Sequence, residues 1–284
     1  MKIARYERKP SLRARVLKWA KGTALALGLG LGGLGAWLYL QPAPQGFPIL
    51  EYHMVKDKVA DDEYDYAVPV EDFKAQLDYL KAEGYETITL QDYMRARKGT
   101  YTLPKKPIVL TFDDGYDDNY TNLLPLLEER GMKGTVYMVT NDIGRPGYLT
   151  WEQLRDMQNR GIELGSHTAN HQPLTELSGE MRQDELKLSK LLMEWNGLKT
   201  IYAFSYPNGA YDDELPKLLK ENEYLTAVTG EAGLNDLKTN PYLLHRINIP
   251  HPRLGLWEFK ARLLKGELLA RLGWNNHLEQ NKQD

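Results

Sequence analysis

The 284-residue chain, 42% hydrophobic, has the composition of a globular protein and a length that suits one large α/β domain or two small ones. Its net charge of −3 hides a split: residues 1–40 carry eight Lys/Arg against one acid, which leaves the rest of the chain net acidic and a poor match for nucleic acid. The absence of cysteine excludes disulfides, thiolate ligands and cysteine nucleophiles, so any metal must be held by His, Asp or Glu.

Residues 1–21 are basic, and Gly22 to Leu40 then runs for 19 residues without a charge. As a helix this run would span roughly 28 Å, close to the hydrocarbon thickness of a bilayer. Trp37 and Tyr39 sit near its far end, where aromatic rings favour the membrane interface. The positive-inside rule predicts a single-pass anchor at residues 22–40, with residues 1–21 cytoplasmic and the remainder extracytoplasmic. A cleaved signal peptide is the alternative, though no Ala-x-Ala-like site precedes Pro42-Ala43-Pro44. Residues 41–48 read as a proline-rich linker.

Beyond the linker, apolar runs alternate with helical patterns. The predicted strands are Ile49–His53, Tyr85–Thr89, Ile108–Phe112, Thr135–Val139, Ile162–Ser166, Ile201–Ser205, Leu225–Thr229 and Leu244–Ile249. Helices are predicted over Val70–Ala82, Tyr120–Arg130, Trp151–Arg160, Gly179–Trp195 and Asp212–Glu221. Such alternation predicts a mainly parallel sheet, open or closed into a barrel, over residues 49–250. Residues 251–284 read as a C-terminal helix and a polar tail. Leu256–Leu272 carries apolar residues near helical spacing with Lys260, Arg262, Lys265 and Arg271 between them. It suits a last helix docked on the domain, or a basic amphipathic helix at the outer membrane surface.

Two segments carry chemistry. Ile108 to Tyr116 (IVLTFDDGY) is an apolar strand ending in two carboxylates and a glycine, and ligands bind at the carboxyl ends of parallel strands. Adjacent acids after a strand also commonly cap the next helix. Ser166 to His171 (SHTANH) follows a second apolar strand, and its two histidines, four apart, can face one metal. With a carboxylate they form a two-His, one-carboxylate site, an open arrangement for a hydrolytic metal.

The Thr-Phe-Asp-Asp-Gly run and the His-x-x-x-His pair resemble the first two motifs of the NodB-type polysaccharide deacetylases, carbohydrate esterase family four. The resemblance implies a distorted, mainly parallel (β/α) barrel of fewer than eight strands. It implies Asp113 as catalytic base and Asp114, His167 and His171 as metal ligands. Zinc is the default occupant, and nickel, cobalt or iron accept the same ligands. The third family motif, Arg-x-Pro-x-Gly, appears here as Ser205-Tyr206-Pro207-Asn208-Gly209, with Ser205 where arginine is expected. The resemblance therefore leaves open what polarises Asp113, and it places an oxyanion-binding backbone N–H at Asn208. The strand ending in Tyr52-His53, with the Phe-x-Tyr-Pro-x-Gly run, resembles the permuted branch acting on poly-N-acetylglucosamine. That branch implies His53 as the proton donor, whereas Leu243-Leu244-His245 offers the letters of the usual Leu-x-His motif. His245 begins its strand and is expected at the opposite rim.

The implied activity is hydrolysis of N-acetyl groups on an N-acetylglucosamine-containing polysaccharide, poly-N-acetylglucosamine or peptidoglycan, with release of acetate. A catalytically silent glycan-binding surface protein is the competing reading. Tyr206 and Trp151 are the candidates for stacking against sugar, although aromatics of this kind also build cores. The sequence identifies no protein partner.

Overall fold

An apolar run such as Pro107–Phe112 (PIVLTF) needs cover on both faces, and a parallel sheet wrapped by helices supplies it. The computed structural model describes Gly33 and residues 46–272. The rest of the anchor at residues 22–40, the basic segment before it and the end of the polar tail lie outside the described residues. No described helix is long and apolar enough to cross a membrane.

In chain order the elements are β1 (Ile49–Tyr52), β2 (Met54–Lys56), β3 (Ala67–Pro69), α1 (Val70–Ala82), β4 (Glu86–Thr87), α2 (Leu90–Arg97), β5 (Pro107–Phe112), α3 (Leu124–Arg130), β6 (Thr135–Met138), α4 (Trp151–Asn159), β7 (Glu163–Ser166), α5 (Gly179–Trp195), β8 (Ala203–Ser205), α6 (Leu215–Glu221), β9 (Thr226–Val228), β10 (Ile247–Asn248) and α7 (Leu256–Arg271). Seven strands pair in the order β10-β1-β5-β6-β7-β8-β9, all parallel, and β4 lies along the first half of β5. The segment before β10 turns the sheet back on itself: Leu244 pairs with Val228 of β9, while Ile247 pairs with Leu50 of β1. The result is a curled parallel sheet, which fits the alternation and the distorted (β/α) barrel that the resemblance implies.

Alternation along the strands divides the core in two. Leu50, Leu110, Phe112, Val136, Leu164 and Phe204 face outward into the helices. Ile49, Val109, Tyr137, Ala203, Val228 and Leu244 fill the interior. Gly165 is required there, because a Cβ at that position would lie 2.4 Å from the Tyr137 ring. The N-terminal end of the barrel is plugged by Leu90 and Tyr93 of α2 together with Phe47. Phe47, from the end of the predicted linker, is buried and bridges to Asn235.

Three regions depart from expectation. α2 forms where the sequence predicts no helix, nucleated by a Thr89 cap whose hydroxyl accepts from Asp92 N at 3.1 Å. β2 and β3 form a separate two-stranded parallel sheet. The helix expected over Tyr120–Arg130 opens with a π-turn at Asn119–Leu123 before α3 begins. The C-terminal helix α7 docks Phe259 and Leu263 into the outer core.

Candidate active site

All the chemistry-bearing loops leave the C-terminal rim of the barrel and surround a cavity of about 480 Å³. After β5 the chain turns sharply through Asp114 (φ 71°) and Gly115 (φ 77°). A Cβ on Gly115 would lie 2.2 Å from Met138 Sδ, so a side chain here would have to displace Met138 as well as take up a left-handed backbone. After β7 the histidine loop bends at Thr168 (φ 68°) and His171 (φ 57°), and after β8 the chain bends at Asn208 (φ 57°). Of the five described non-glycine residues with positive φ, Asp114, His171 and Asn208 line the cavity and Thr168 lies in the histidine loop; Glu223 is the other. Each such backbone costs on the order of 1 kcal/mol, so the surrounding contacts must enforce them. For the histidine loop those contacts come from buried Glu185 of α5, which accepts from Ala169 N at 2.9 Å and Asn170 N at 3.0 Å.

Asp114, His167 and His171 converge, with one ligand atom from each lying within 4.8 Å of the others. Asp114 Oδ1 is 3.7 Å from His167 Nε2 and 3.5 Å from His171 Nε2, and the two Nε2 atoms are 3.1 Å apart. His167 Nδ1 lies 2.7 Å from the Ser205 carbonyl, which fixes a proton on Nδ1 and leaves the Nε2 lone pair aimed at the cluster. Burial outweighs the neighbouring carboxylates and lowers the His167 pKa, favouring the neutral ligand form. Asp114 Oδ1 is buried without a hydrogen-bond donor. Two imidazoles and a carboxylate oxygen in this arrangement fit a divalent cation.

Beside this group, Asp113 is enclosed. Arg246 grips it with two nitrogens, Nη1 to Oδ1 and Nη2 to Oδ2, each at 2.9 Å, and the Ser205 hydroxyl donates to Oδ2 at 3.1 Å. Burial alone would raise the Asp113 pKa, but Arg246, with His167 adding to it, holds the carboxyl well below its ordinary range. Arg246 is itself 1% exposed and donates from Nε to the Thr229 carbonyl at 3.0 Å. Sequence reasoning missed it. The arginine absent at Ser205 is replaced across the barrel by one that enters just before β10. A single charge in the apolar alternation of Leu243–Ile249, in phase with inward-facing Leu244, was the available signal.

His53, just after β1, lines the same cavity. One of its ring nitrogens lies within 4.8 Å of oxygens of Glu51 and Asp113, and its ring meets Tyr66 edge-on at 5.4 Å. Arg246 Nη2 also reaches Glu51 at 3.4 Å, so this second cluster is already neutralised by a cation from the protein. His245 is not among the residues lining the cavity; it is buried, with Nδ1 3.8 Å from Glu231.

Asn208 lines the cavity, and its loop packs backbone to backbone on the next one: a Cβ on Gly209 would lie 2.3 Å from Gly230 N. Neither of the two aromatics expected to stack on sugar lines the cavity. Tyr206 is wholly buried with its hydroxyl donating to the Tyr242 carbonyl, because its strand-end position turns the ring outward into the core. Trp151 opens α4 and packs on that core, away from the cavity lining. The lining aromatics are Tyr66, Tyr116 and Tyr148, the last two stacked at 5.2 Å.

A family profile described as "Polysaccharide deacetylase" matches residues 100–227. YxkH of Bacillus subtilis (strain 168), which carries a polysaccharide deacetylase name, is 33% identical over 214 residues, 75% of this chain and 75% of that one. The poly-beta-1,6-N-acetyl-D-glucosamine N-deacetylase of Staphylococcus epidermidis is 27% identical over 199 residues, 61% of this chain and 68% of the relative. Among solved structures, the Streptococcus pyogenes deacetylase PplD in complex with acetate superposes with a TM-score of 0.71 at 28% identity, covering 79% of this chain and 99% of that one. On 33% identity with YxkH over three quarters of both chains, and on a barrel superposable on that of PplD, the chain belongs to the NodB-type polysaccharide deacetylase family.

Proposed function

We propose that this chain hydrolyses N-acetyl groups on an amino-sugar polymer of the poly-β-1,6-N-acetylglucosamine type, releasing acetate, with a divalent metal held by Asp114, His167 and His171. The observation that carries this reading is the adjacency of that ligand group to Asp113, a buried carboxylate clamped in one orientation by Arg246 and Ser205. When bound, the metal, zinc by default, would acidify water and polarise the acetamide carbonyl. Asp113, held ionised, takes the proton of the attacking water. Its own basicity is weak, so its value lies in fixed position and permanent charge. Water adds to the carbonyl carbon, and the Asn208 backbone N–H steadies the developing oxyanion. His53, near Asp113, gives a proton to the departing nitrogen as the C–N bond breaks, leaving acetate and a free amine. Tyr66, Tyr116 and Tyr148 offer ring faces to the polymer.

The name of the Staphylococcus epidermidis relative supports poly-N-acetylglucosamine over other polymers. The uncharged run at residues 22–40 supports a single-pass anchor in the cell membrane with the catalytic domain extracytoplasmic. The test is acetate release by the full-length chain in detergent from poly-N-acetylglucosamine, peptidoglycan and chitin oligomers, before and after chelation. Release that stops on chelation and returns with zinc is expected, greatest on the first polymer. Glycan binding without acetate release by the metal-loaded protein would leave only a silent lectin.

A further inference from the structure

α7 has two apolar faces, and the barrel uses one. Phe259, Leu263 and Gly266 turn inward, with Gly266 so close that a Cβ would lie 2.7 Å from Ile247 Cδ1. On the other side Trp257, Ala261, Leu264, Leu268 and Leu272 recur at helical spacing and form one outward stripe, which Leu254 extends. Trp257 is 79% exposed, Leu254 74%, Leu264 54% and Leu272 48%. Trp257 and Leu254 stand among the most exposed large hydrophobic side chains described.

Charge indicates what covers this stripe. Residues 253–272 carry five bases and two acids, within a post-anchor sequence that is otherwise strongly acidic. Lys260 and Lys265 flank the stripe on either side, Arg253 and Arg271 stand near its ends, and Glu258 is held by Arg262 at 2.8 Å. Long basic side chains bordering an apolar stripe suit a helix lying in a headgroup layer, with aliphatic stems in the apolar region and charges at phosphate level.

The point where the chain enters the domain agrees. A Cβ on Gly46 would lie 3.2 Å from Leu234 Cβ, and one on Gly266 3.7 Å from Leu234 Cδ2, so the domain's first described residue and α7 flank the same side chain. An anchor ending at Leu40 leaves five residues before Gly46.

We propose that the outward face of α7 is a second membrane contact, seating Trp257 and Leu264 in the interface of an anionic phospholipid bilayer and fixing the orientation of the catalytic domain on its tether. The proposal is independent of the hydrolytic reading and is tested without an activity assay. The chain has no cysteine, so Leu264→Cys introduces the sole thiol, and that exposed site tolerates an environment-sensitive fluorophore. Lys187→Cys, exposed on α5, is the control. The full-length variants are placed in detergent, in neutral vesicles and in phosphatidylglycerol-containing vesicles. A blue shift and lipid-borne quenching at position 264 but not 187, strongest with phosphatidylglycerol and weakened by salt, is the expected result. Equal, water-like emission at both positions in every vesicle overturns the proposal. So does a position-264 label already shielded in dilute detergent, together with disulfide-linked dimers of the unlabelled Leu264→Cys protein, which would assign the face to self-association.

Discussion

Two carboxylates, half-buried Glu163 and buried Asp113, stand at opposite ends of the same barrel and behave oppositely. Glu163, at the start of β7, accepts from Leu90 N and Gln91 N, both at 2.9 Å, and from the Thr135 hydroxyl at 2.8 Å. Burial raises its pKa despite these donors, and its task is to anchor the first turn of α2 against the N-terminal rim. Asp113, at the end of β5, is ion-paired and pushed the other way. Both Glu163 oxygens accept hydrogen bonds. Around Asp113 cluster four left-handed non-glycine residues, an arginine 1% exposed and an orphaned oxygen on Asp114. The contrast separates a charge kept for architecture from one kept for chemistry, since proteins break local rules where function requires it.

The largest test of that contrast is Asp113→Asn. Acetate release should fall toward the upper end of the 10²- to 10⁴-fold range of general-base loss, about 10⁴-fold, with bound metal unchanged by elemental analysis. Wild-type turnover in that variant would reassign the base. His53→Ala should fall roughly 10²- to 10⁴-fold, whereas His245→Ala should stay within about threefold per folded molecule. The reverse pattern would move the proton donor to the segment before β10.

Next in size comes the clamp. Arg246→Leu leaves a buried carboxylate unpaired and should lower unfolding stability by about 3–5 kcal/mol in urea titrations. Glu163→Gln keeps an acceptor of the same shape at the other rim and should lose only about 1 kcal/mol. Equal losses would erase the distinction drawn between the rims.

Asp118 offers a pH test. It accepts from Val55 N at 2.7 Å, and burial lifts its pKa to about 6. The folded value lies above the unfolded one, so the unfolded chain releases its proton first as pH rises. Stability is therefore fully present below about pH 4 and declines until about pH 6, by at most about 3 kcal/mol. Asp118→Asn should remove that decline; an unchanged slope would assign it to other groups. Asp113, lowered instead, contributes the opposite slope at more acid pH. Smallest of all, Tyr206→Phe should cost about 1 kcal/mol through its lost bond to the Tyr242 carbonyl and leave KM unmoved.

The strands flanking the site were legible because each is an uninterrupted apolar run that ends in its chemistry, as Val109–Leu110–Thr111–Phe112 ends in Asp113. Arg246 was not legible as a site residue, since its role depends on β10 closing onto β1, a long-range pairing with no local mark. α2 did carry a local mark, the Thr89-to-Asp92 capping box, but its eight residues are mostly polar and show weak periodicity. β2 and β3 are separated by the acidic stretch Asp61–Asp65, which hid their pairing. Tyr206 was illegible for another reason: sequence shows an aromatic beside a motif but not the direction in which its strand turns it.

The link from His167 Nδ1 to the Ser205 carbonyl has a further consequence. β7 and β8 share a single registered pair, Ser166 with Phe204, so the ladder is short at that seam. The imidazole continues it by donating where a peptide N–H would otherwise do so. His167 thus acts as a stitch between strands as well as a ligand, and its removal should loosen the seam as well as empty the centre. Amide exchange near Ser205 would quicken in a His167 variant, while a His171 variant, whose ring makes no such stitch, should keep the seam closed.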